Sequence, residues 1–162
     1  MRTKTKKTAS DNAQQTSLDD ALSIKNALSI KIDPELGRVA MGLGVACEFR
    51  VWSVARHFYG IPGWVERETL FHTLKSARVV TTKRNFNRLL RTGDGLFWEL
   101  PRNRVYLRGY IRVTRQLVKH SLASNPALVA TNVPGVPSIF VKAGGDLGDF
   151  KANVYGAWLA YR

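Results

Sequence analysis

The sequence contains a single cysteine, Cys47, among its 162 residues. One thiol cannot form a disulfide within the chain, so no framework of cross-links is expected and nothing points to an oxidising compartment. Val45 and Phe49 flank Cys47, which favours a small buried side chain over a reactive thiol. The fold must therefore be held by hydrophobic packing, for which a hydrophobic content of 44% is sufficient.

Long hydrophobic runs are also missing. No stretch reaches the ~18–20 apolar residues of a membrane-spanning helix. The amino terminus is basic but has no apolar run behind it, so a secretory signal is not expected. The sequence therefore predicts a cytoplasmic, nucleoid-associated protein without a membrane partner.

Acidic residues are few, since 12 Asp and Glu stand against 25 Lys and Arg and give a net charge of +13. The acids do not cluster, and His57, His72 and His120 lie far apart in the chain. No spacing typical of metal ligands, such as HExxH or CxxC, is present. We therefore expect no catalytic residues, no metal site and no cofactor, which argues against an enzyme.

The positive charge is concentrated between residues 83 and 119. This segment holds ten basic residues and two acidic ones, a surplus of eight. Such a surplus favours a polyanionic partner through phosphate neutralisation and counterion release. Nucleic acid fits better than a membrane surface, because the apolar stripe of this segment is too narrow for an interfacial helix.

A helix is predicted from residue 82 to residue 92. Thr81 or Thr82 can cap its start, and Gly93 is placed to end it in the left-handed conformation. Its apolar residues recur at three- and four-residue spacing on one side: Phe86, Leu89 and Leu90. Its polar residues recur at the same spacing on the other side: Lys83, Arg84, Asn87, Arg88 and Arg91.

A hairpin is predicted after this helix, because the hydrophobic period changes from 3.6 to 2. Residues 96–100 and 105–108 alternate as two strands would, and residues 101–104 include a proline and an asparagine suited to a turn. Arg102 and Arg104 stand at the tip. A basic-faced helix followed by such a hairpin is a shape that can grip a nucleic-acid duplex.

Upstream, residues 64–75 offer another helix with Val65, Leu70 and Leu74 on its buried side, and residues 76–80 could form the turn of a helix-turn-helix. The order helix, turn, basic helix and hairpin resembles the winged helix-turn-helix family. The amino-acid sequence of residues 68–75 and 86–100 is also similar to that of winged-helix proteins carried by bacterial phages and mobile elements. The resemblance implies that helix 82–92 enters the major groove and that residues 101–104 touch the backbone or the minor groove.

The remaining segments complete the predicted fold. Asp33 and Pro34 are a strong helix start, and this helix could run to residue 58 or 59 before Gly60, with Gly42 and Gly44 allowing close packing or marking a kink. Leu28, Ile30 and Ile32 alternate like a strand before it. After the hairpin, residues 110–122 form an amphipathic helix that either extends the basic surface or serves dimerisation; its packing residues are Ile111, Leu117, Val118 and Leu122.

A last helix is expected to start at Asp149. Its apolar stripe either folds back on the main domain or belongs to a second winged-helix unit. The chain thus divides into a disordered basic arm (1–17), a winged helix-turn-helix domain (18–122), a linker or irregular loop (123–148) and a C-terminal amphipathic helix (149–162). The fold class is mainly α with a small β-hairpin wing (α+β), a winged helix-turn-helix core with an additional C-terminal helix.

The leading hypothesis is a non-enzymatic protein that binds duplex DNA in replication initiation or transcription control. Its candidate DNA-binding residues are Lys83, Arg84, Asn87, Arg88, Arg91, Arg102, Arg104 and Arg108. An RNA-binding protein is one alternative. The other is a protein–protein adaptor or assembly subunit on the same scaffold, with a homodimer or partner contact through Phe150, Val154, Trp158 and Tyr161.

Overall fold

The computed structural model describes residues 28–124 and 139–160, which hold six helices and five short strands. In chain order they are β1 (Ser29–Ile32), α1 (Pro34–Gly42), α2 (Ala46–Tyr59), β2 (Gly63–Glu66), α3 (Arg67–Ser76), α4 (Lys83–Gly93), β3 (Trp98–Glu99), β4 (Arg104–Leu107), α5 (Tyr110–Ser124), β5 (Ile139–Lys142) and α6 (Leu147–Ala160). The predicted class, mainly helical with small antiparallel sheets, is confirmed. The predicted basic arm lies outside the described residues.

Two helices, α1 and α2, stand where one long helix was expected. Asp33 caps α1 as predicted, because its Oδ1 accepts the backbone N–H groups of Glu35 at 2.9 Å and Leu36 at 3.2 Å. The chain breaks at Gly44, which has a φ of 75°, and α2 ends before Gly60, whose φ is 73°. A Cβ on Gly44 would meet nothing within 4 Å, so this glycine supplies backbone freedom and not close packing.

Helix α2 carries the centre of the hydrophobic core. The ring of Phe49 lies 6.2 Å from that of Trp52, 6.5 Å from Phe97 and 6.4 Å from Phe150, measured between centroids. All four side chains are buried. Helix α2, the segment before β3 and the C-terminal helix therefore share one core, and α2 forms its floor.

Residues 64–66 form strand β2, so the prediction that a helix begins at Trp64 is wrong. Strand β2 pairs antiparallel with β4, with Val65 opposite Val105, and β4 also pairs with β3. The pairing partner of Val65 lies 40 residues further along the chain, which a local sequence pattern cannot show. Helix α3 begins at Arg67 instead.

Helix α5 packs through Val113 and Leu117, both fully buried. Ile111 is 66% exposed, so the prediction that it packs is wrong, while the side chain of Leu122 lies outside the described part. At the start of the helix the hydroxyl of Tyr110 donates to Asp33 Oδ2. Burial, followed by this hydrogen bond, raises the pKa of Tyr110 to about 12.

The C-terminal segment folds back onto the body of the protein. Strand β5, within the predicted linker, pairs antiparallel with β1. Helix α6 begins at Leu147 and not at Asp149, because Asp146 Oδ1 accepts the N–H of Gly148 at 2.5 Å. Val154 is fully buried against α1, where a Cβ on Gly37 would come within 2.5 Å of its Cγ1.

This packing corrects the expected partner contact of the last helix. Phe150 and Val154 are 1% and 0% exposed and are covered by the chain itself, so they are not available to a second protein. The indole of Trp158 donates to Glu35 Oε2 at 2.5 Å, and Tyr161 lies outside the described residues. The large apolar side chains that this helix does expose are Tyr155 and Leu159.

Candidate nucleic-acid interface

Helix α4 separates its apolar and basic residues on opposite sides. Phe86, Leu89 and Leu90 are buried at 1%, 5% and 1% exposure. The other side is polar because residues three and four apart share one face of a helix. Lys83, Arg84, Arg88 and Arg91 are all exposed there, and Asn87 is half-buried.

A side-chain cap holds the first turn of α4, and two hydrogen bonds near its end fix it to the body of the protein. Thr82 Oγ1 accepts the N–H of Asn85 at 3.2 Å and so caps the first turn. At the other end the hydroxyl of Thr92 donates to Glu48 Oε1 at 2.7 Å, and the indole of Trp98 donates to the carbonyl of Leu90 at 2.7 Å. These partners lie on the inner side, so the basic face remains free.

All three arginines of α4 lack an ion-pair partner among the described residues, whereas its lysine has one. Lys83 pairs with Glu68 of α3, and its hydrogen bond lowers the pKa of that carboxyl. Arg88 donates only to the neutral Asn85 side chain, at 2.8 Å. Within the described residues, no ion pair involves Arg84, Arg88 or Arg91.

The turn between β3 and β4, residues 101–103, is the second basic element. The N–H of Arg104 donates to the carbonyl of Pro101 at 3.2 Å, and Arg102 has a φ of 56°, a conformation uncommon for a residue with a side chain. Arg102 and Arg104 are exposed. Arg104 Nε lies 3.4 Å from Glu66 Oε1, whereas Arg102 has no ion pair within the described part of the chain.

The first turn of α3 brings this turn and the start of α4 together. The N–H of Arg67 donates to the carbonyl of Asn103 at 3.0 Å, and the next residue, Glu68, pairs with Lys83. Both basic elements therefore adjoin two consecutive residues of α3. We call their shared outer surface the basic surface; it consists of Lys83, Arg84, Asn87, Arg88, Arg91, Arg102 and Arg104.

Arg108 does not belong to the basic surface, which corrects the sequence-based expectation. Its side chain is buried, with Nη1 donating to the carbonyl of Gly95 and Nη2 lying 3.2 Å from Glu99 Oε1. Arg112 donates to the same Glu99 oxygen at 3.0 Å. Arg108 thus holds the turn after α4 against β4 and cannot reach a ligand from this position.

Of two exposed features near this surface, Arg78 was missed from the sequence and Trp64 was expected on a helix. Arg78 lies in the turn between α3 and α4 and is exposed, with a φ of 58°. Trp64, on β2, is 58% exposed and lies beside Tyr106 of β4. The alternation of exposed Trp64, buried Val65 and exposed Glu66 is a strand signal, but three residues are too short a run to distinguish it from a helix start.

Metal-ligating side chains do not cluster among the described residues. No group of three or more His, Cys, Asp or Glu side chains among them could hold a metal ion. Burial, and next the charge of Glu48, raises the pKa of the Cys47 thiol and so disfavours its thiolate form. None of the helices within residues 28–124 and 139–160 has the length and apolar character needed to cross a bilayer.

Comparison of the chain with family models, curated proteins and solved structures finds no match. The function must therefore be inferred from the arrangement of side chains described above.

Proposed function

We propose that the protein is a non-enzymatic DNA-binding protein of the winged helix-turn-helix type, acting in replication initiation or transcription control. In this proposal α4 enters the major groove of duplex DNA, and the turn of residues 101–103 rests against the phosphate backbone. The observation that carries the proposal is the outer face of α4, where Arg84, Arg88 and Arg91 are exposed and have no ion-pair partner among the described residues.

The order of elements supports this type of domain. Helix α3, a short turn, the basic helix α4 and the β3–β4 hairpin follow one another, and α2 supplies the hydrophobic floor. The turn and the start of α4 adjoin neighbouring residues of α3, so a single duplex can contact both. This is the arrangement in which a helix reads a groove while an adjacent loop contacts the backbone.

The chemistry of α4 suits base recognition as well as charge neutralisation. A guanidinium can donate two hydrogen bonds to a guanine edge, and an amide can pair with an adenine edge, each worth ~1–3 kcal/mol of discrimination. Arg88 and Arg91 are exposed and Asn87 is half-buried on the face that this proposal directs at the bases. Arg102 in the turn and Arg104 at the start of β4 would contact phosphates, which position the duplex without reading its sequence.

The double variant Arg88→Ala/Arg91→Ala tests the proposal directly. Removing two charge-assisted contacts should weaken duplex binding about tenfold or more, because hydrogen bonds to charged groups contribute ~1.5–3 kcal/mol each. Affinity is measured by fluorescence anisotropy with a labelled duplex, after circular dichroism has verified the fold.

Lys31→Ala/Lys142→Ala is the matched control, because it removes the same charge from exposed residues of the β1–β5 sheet. We expect its affinity to stay within about twofold of the parent, since these lysines lie outside the basic surface. Equal losses in the two double variants, or no loss in either, would refute the proposed interface.

A protein–protein adaptor is the second candidate, favoured by Tyr155 and Leu159, which α6 exposes at 50% and 45%. Size-exclusion chromatography without nucleic acid distinguishes it. A stable oligomer that persists at high salt and in the Arg88→Ala/Arg91→Ala variant would support the adaptor.

A further inference from the structure

Trp64, which is exposed, and Tyr106, which is half-buried, form an aromatic pair on the outer face of the β2–β4–β3 sheet. The two residues are directly opposite on β2 and β4, and their ring centroids lie 4.9 Å apart. Their strand neighbours Val65 and Val105 are buried on the inner face. The inner face is thus packed against the core, while Trp64 remains 58% exposed.

A groove lies on each side of this aromatic pair. One, of about 560 Å³, is lined by Trp64 together with Arg102 and Arg104 of the turn. The other, of about 650 Å³, is lined by Tyr106 together with Arg112 and Arg115 of α5. The aromatic rings therefore stand between two pairs of arginines.

The charges at these grooves favour an anionic ligand. Glu66 is paired with Arg104, and Glu99 with Arg108 and Arg112. Within the described residues, Arg102 and Arg115 have no ion-pair partner, so a net positive charge remains on both sides of the rings.

We propose that this face, which we call the stacking platform (Trp64, Tyr106, Arg102, Arg104, Arg112 and Arg115), binds unpaired nucleotides of a strand that leaves the duplex. Single-stranded nucleic acid is recognised by aromatic rings on which bases stack and by cationic side chains that follow the phosphates. The exposed ring of Trp64, backed by Tyr106 and flanked by arginines, provides both. A protein partner would require no such uncompensated charge on either side of the rings.

The stacking platform rests on the proposed function and extends it. Arg102 and Arg104 belong both to the basic surface and to the groove beside Trp64. On an extended strand, Trp64 lies two residues, or ~7 Å, from Glu66, the partner of Arg104. A duplex held by α4 would therefore deliver an unpaired end across the turn to Trp64, so the protein should prefer duplexes with overhangs or forks to blunt ones.

The test compares a blunt duplex, the same duplex with a single-stranded overhang, and the isolated single strand, by fluorescence anisotropy. We expect the parent protein to bind the overhang duplex about fivefold or more tightly than the blunt one, a gain consistent with stacking of one base. Trp64→Ala should abolish that gain while leaving blunt-duplex affinity within about twofold. Trp64→Phe should retain most of the overhang gain.

DNA and RNA overhangs are measured side by side, and a Trp64-dependent gain with either supports the stacking platform.

Phe140→Ala is the matched control, because Phe140 is also an exposed strand aromatic, at 70%, but lies on the separate β1–β5 sheet. It should leave the overhang gain unchanged. The proposal is overturned if the parent shows no overhang gain, if Trp64→Ala weakens blunt and overhang duplexes equally, or if Trp64→Ala alters only the oligomeric state without nucleic acid. Failure of blunt-duplex binding with Trp64-dependent single-strand binding intact would reject the major-groove proposal alone.

Discussion

Gly93 lies at the end of α4, directly against the indole ring of Trp98. A Cβ at this position would come within 2.4 Å of Trp98 Cζ2, closer than real side chains approach. The backbone of Gly93 is not left-handed; that conformation falls on Gly95, with a φ of 83°. Gly93 is therefore needed because a larger residue would displace the indole ring of Trp98. In its observed position that ring donates a hydrogen bond to the carbonyl of Leu90.

Gly93→Ala should accordingly lower the free energy of unfolding by ~1–3 kcal/mol, the usual effect of overpacking a core. Chemical denaturation measures this change. Gly156→Ala is the control, because Gly156 lies in α6 with nothing within 4 Å of its added Cβ. That variant should gain ~0.5–1 kcal/mol from helix propensity. A Gly93→Ala protein as stable as its parent would show that Trp98 yields without strain.

Residue exposure on α4 could be predicted from the sequence, because the three- and four-residue spacing of Phe86, Leu89 and Leu90 is a local property. The burial of Arg108 could not. Strand alternation predicts that Arg108 points to the outer face of the sheet, because its neighbour Leu107 is buried on the inner face. Its burial depends on the Gly95 carbonyl in the turn after α4 and on the Glu99 carboxylate of β3, which the folded chain brings to it.

At the scale of elements, the cap of α4 links the stability of the helix to the basic surface. Thr82→Ala removes the acceptor of the Asn85 N–H and should cost ~1 kcal/mol of unfolding free energy. Because Lys83 and Arg84 lie in the first turn, we also expect duplex affinity to fall, though less than in Arg88→Ala/Arg91→Ala. Thermal denaturation and anisotropy measure the two effects.

Thr82→Ser retains a side-chain oxygen at the same position and serves as the control for this prediction. It should keep most of both stability and affinity. If Thr82→Ala and Thr82→Ser behaved alike, the hydroxyl would have no part in holding the first turn.

Elements with their own hydrophobic period were predictable, and those defined by distant partners were not. The start of α1, the span of α4 and the turn of the hairpin all carry local signals such as Asp33, Thr82 and Pro101. Strand β2 has only four residues and is defined by its pairing with β4. Trp64 was consequently expected on a helix, and the stacking platform could not be inferred from the sequence.

At the scale of the whole molecule, the net charge of +13 predicts a strong salt dependence of binding. If about six phosphates are neutralised, log K should fall against log salt concentration with a slope of about −5. Arg102→Ala should reduce the magnitude of that slope by about 1, because one phosphate contact is lost. A titration series across salt concentrations measures both slopes, and a flat response would contradict an electrostatic interface.

The antiparallel pairing of β1 with β5 joins segments near the two ends of the described chain. During synthesis on a ribosome, residues 28–124 emerge before β5 and α6, while Ile30, Gly37 and Phe49 still lack the neighbours that cover them. This core is therefore complete only once translation has passed α6. Until then the apolar side chains that β5 and α6 cover remain exposed in the nascent chain.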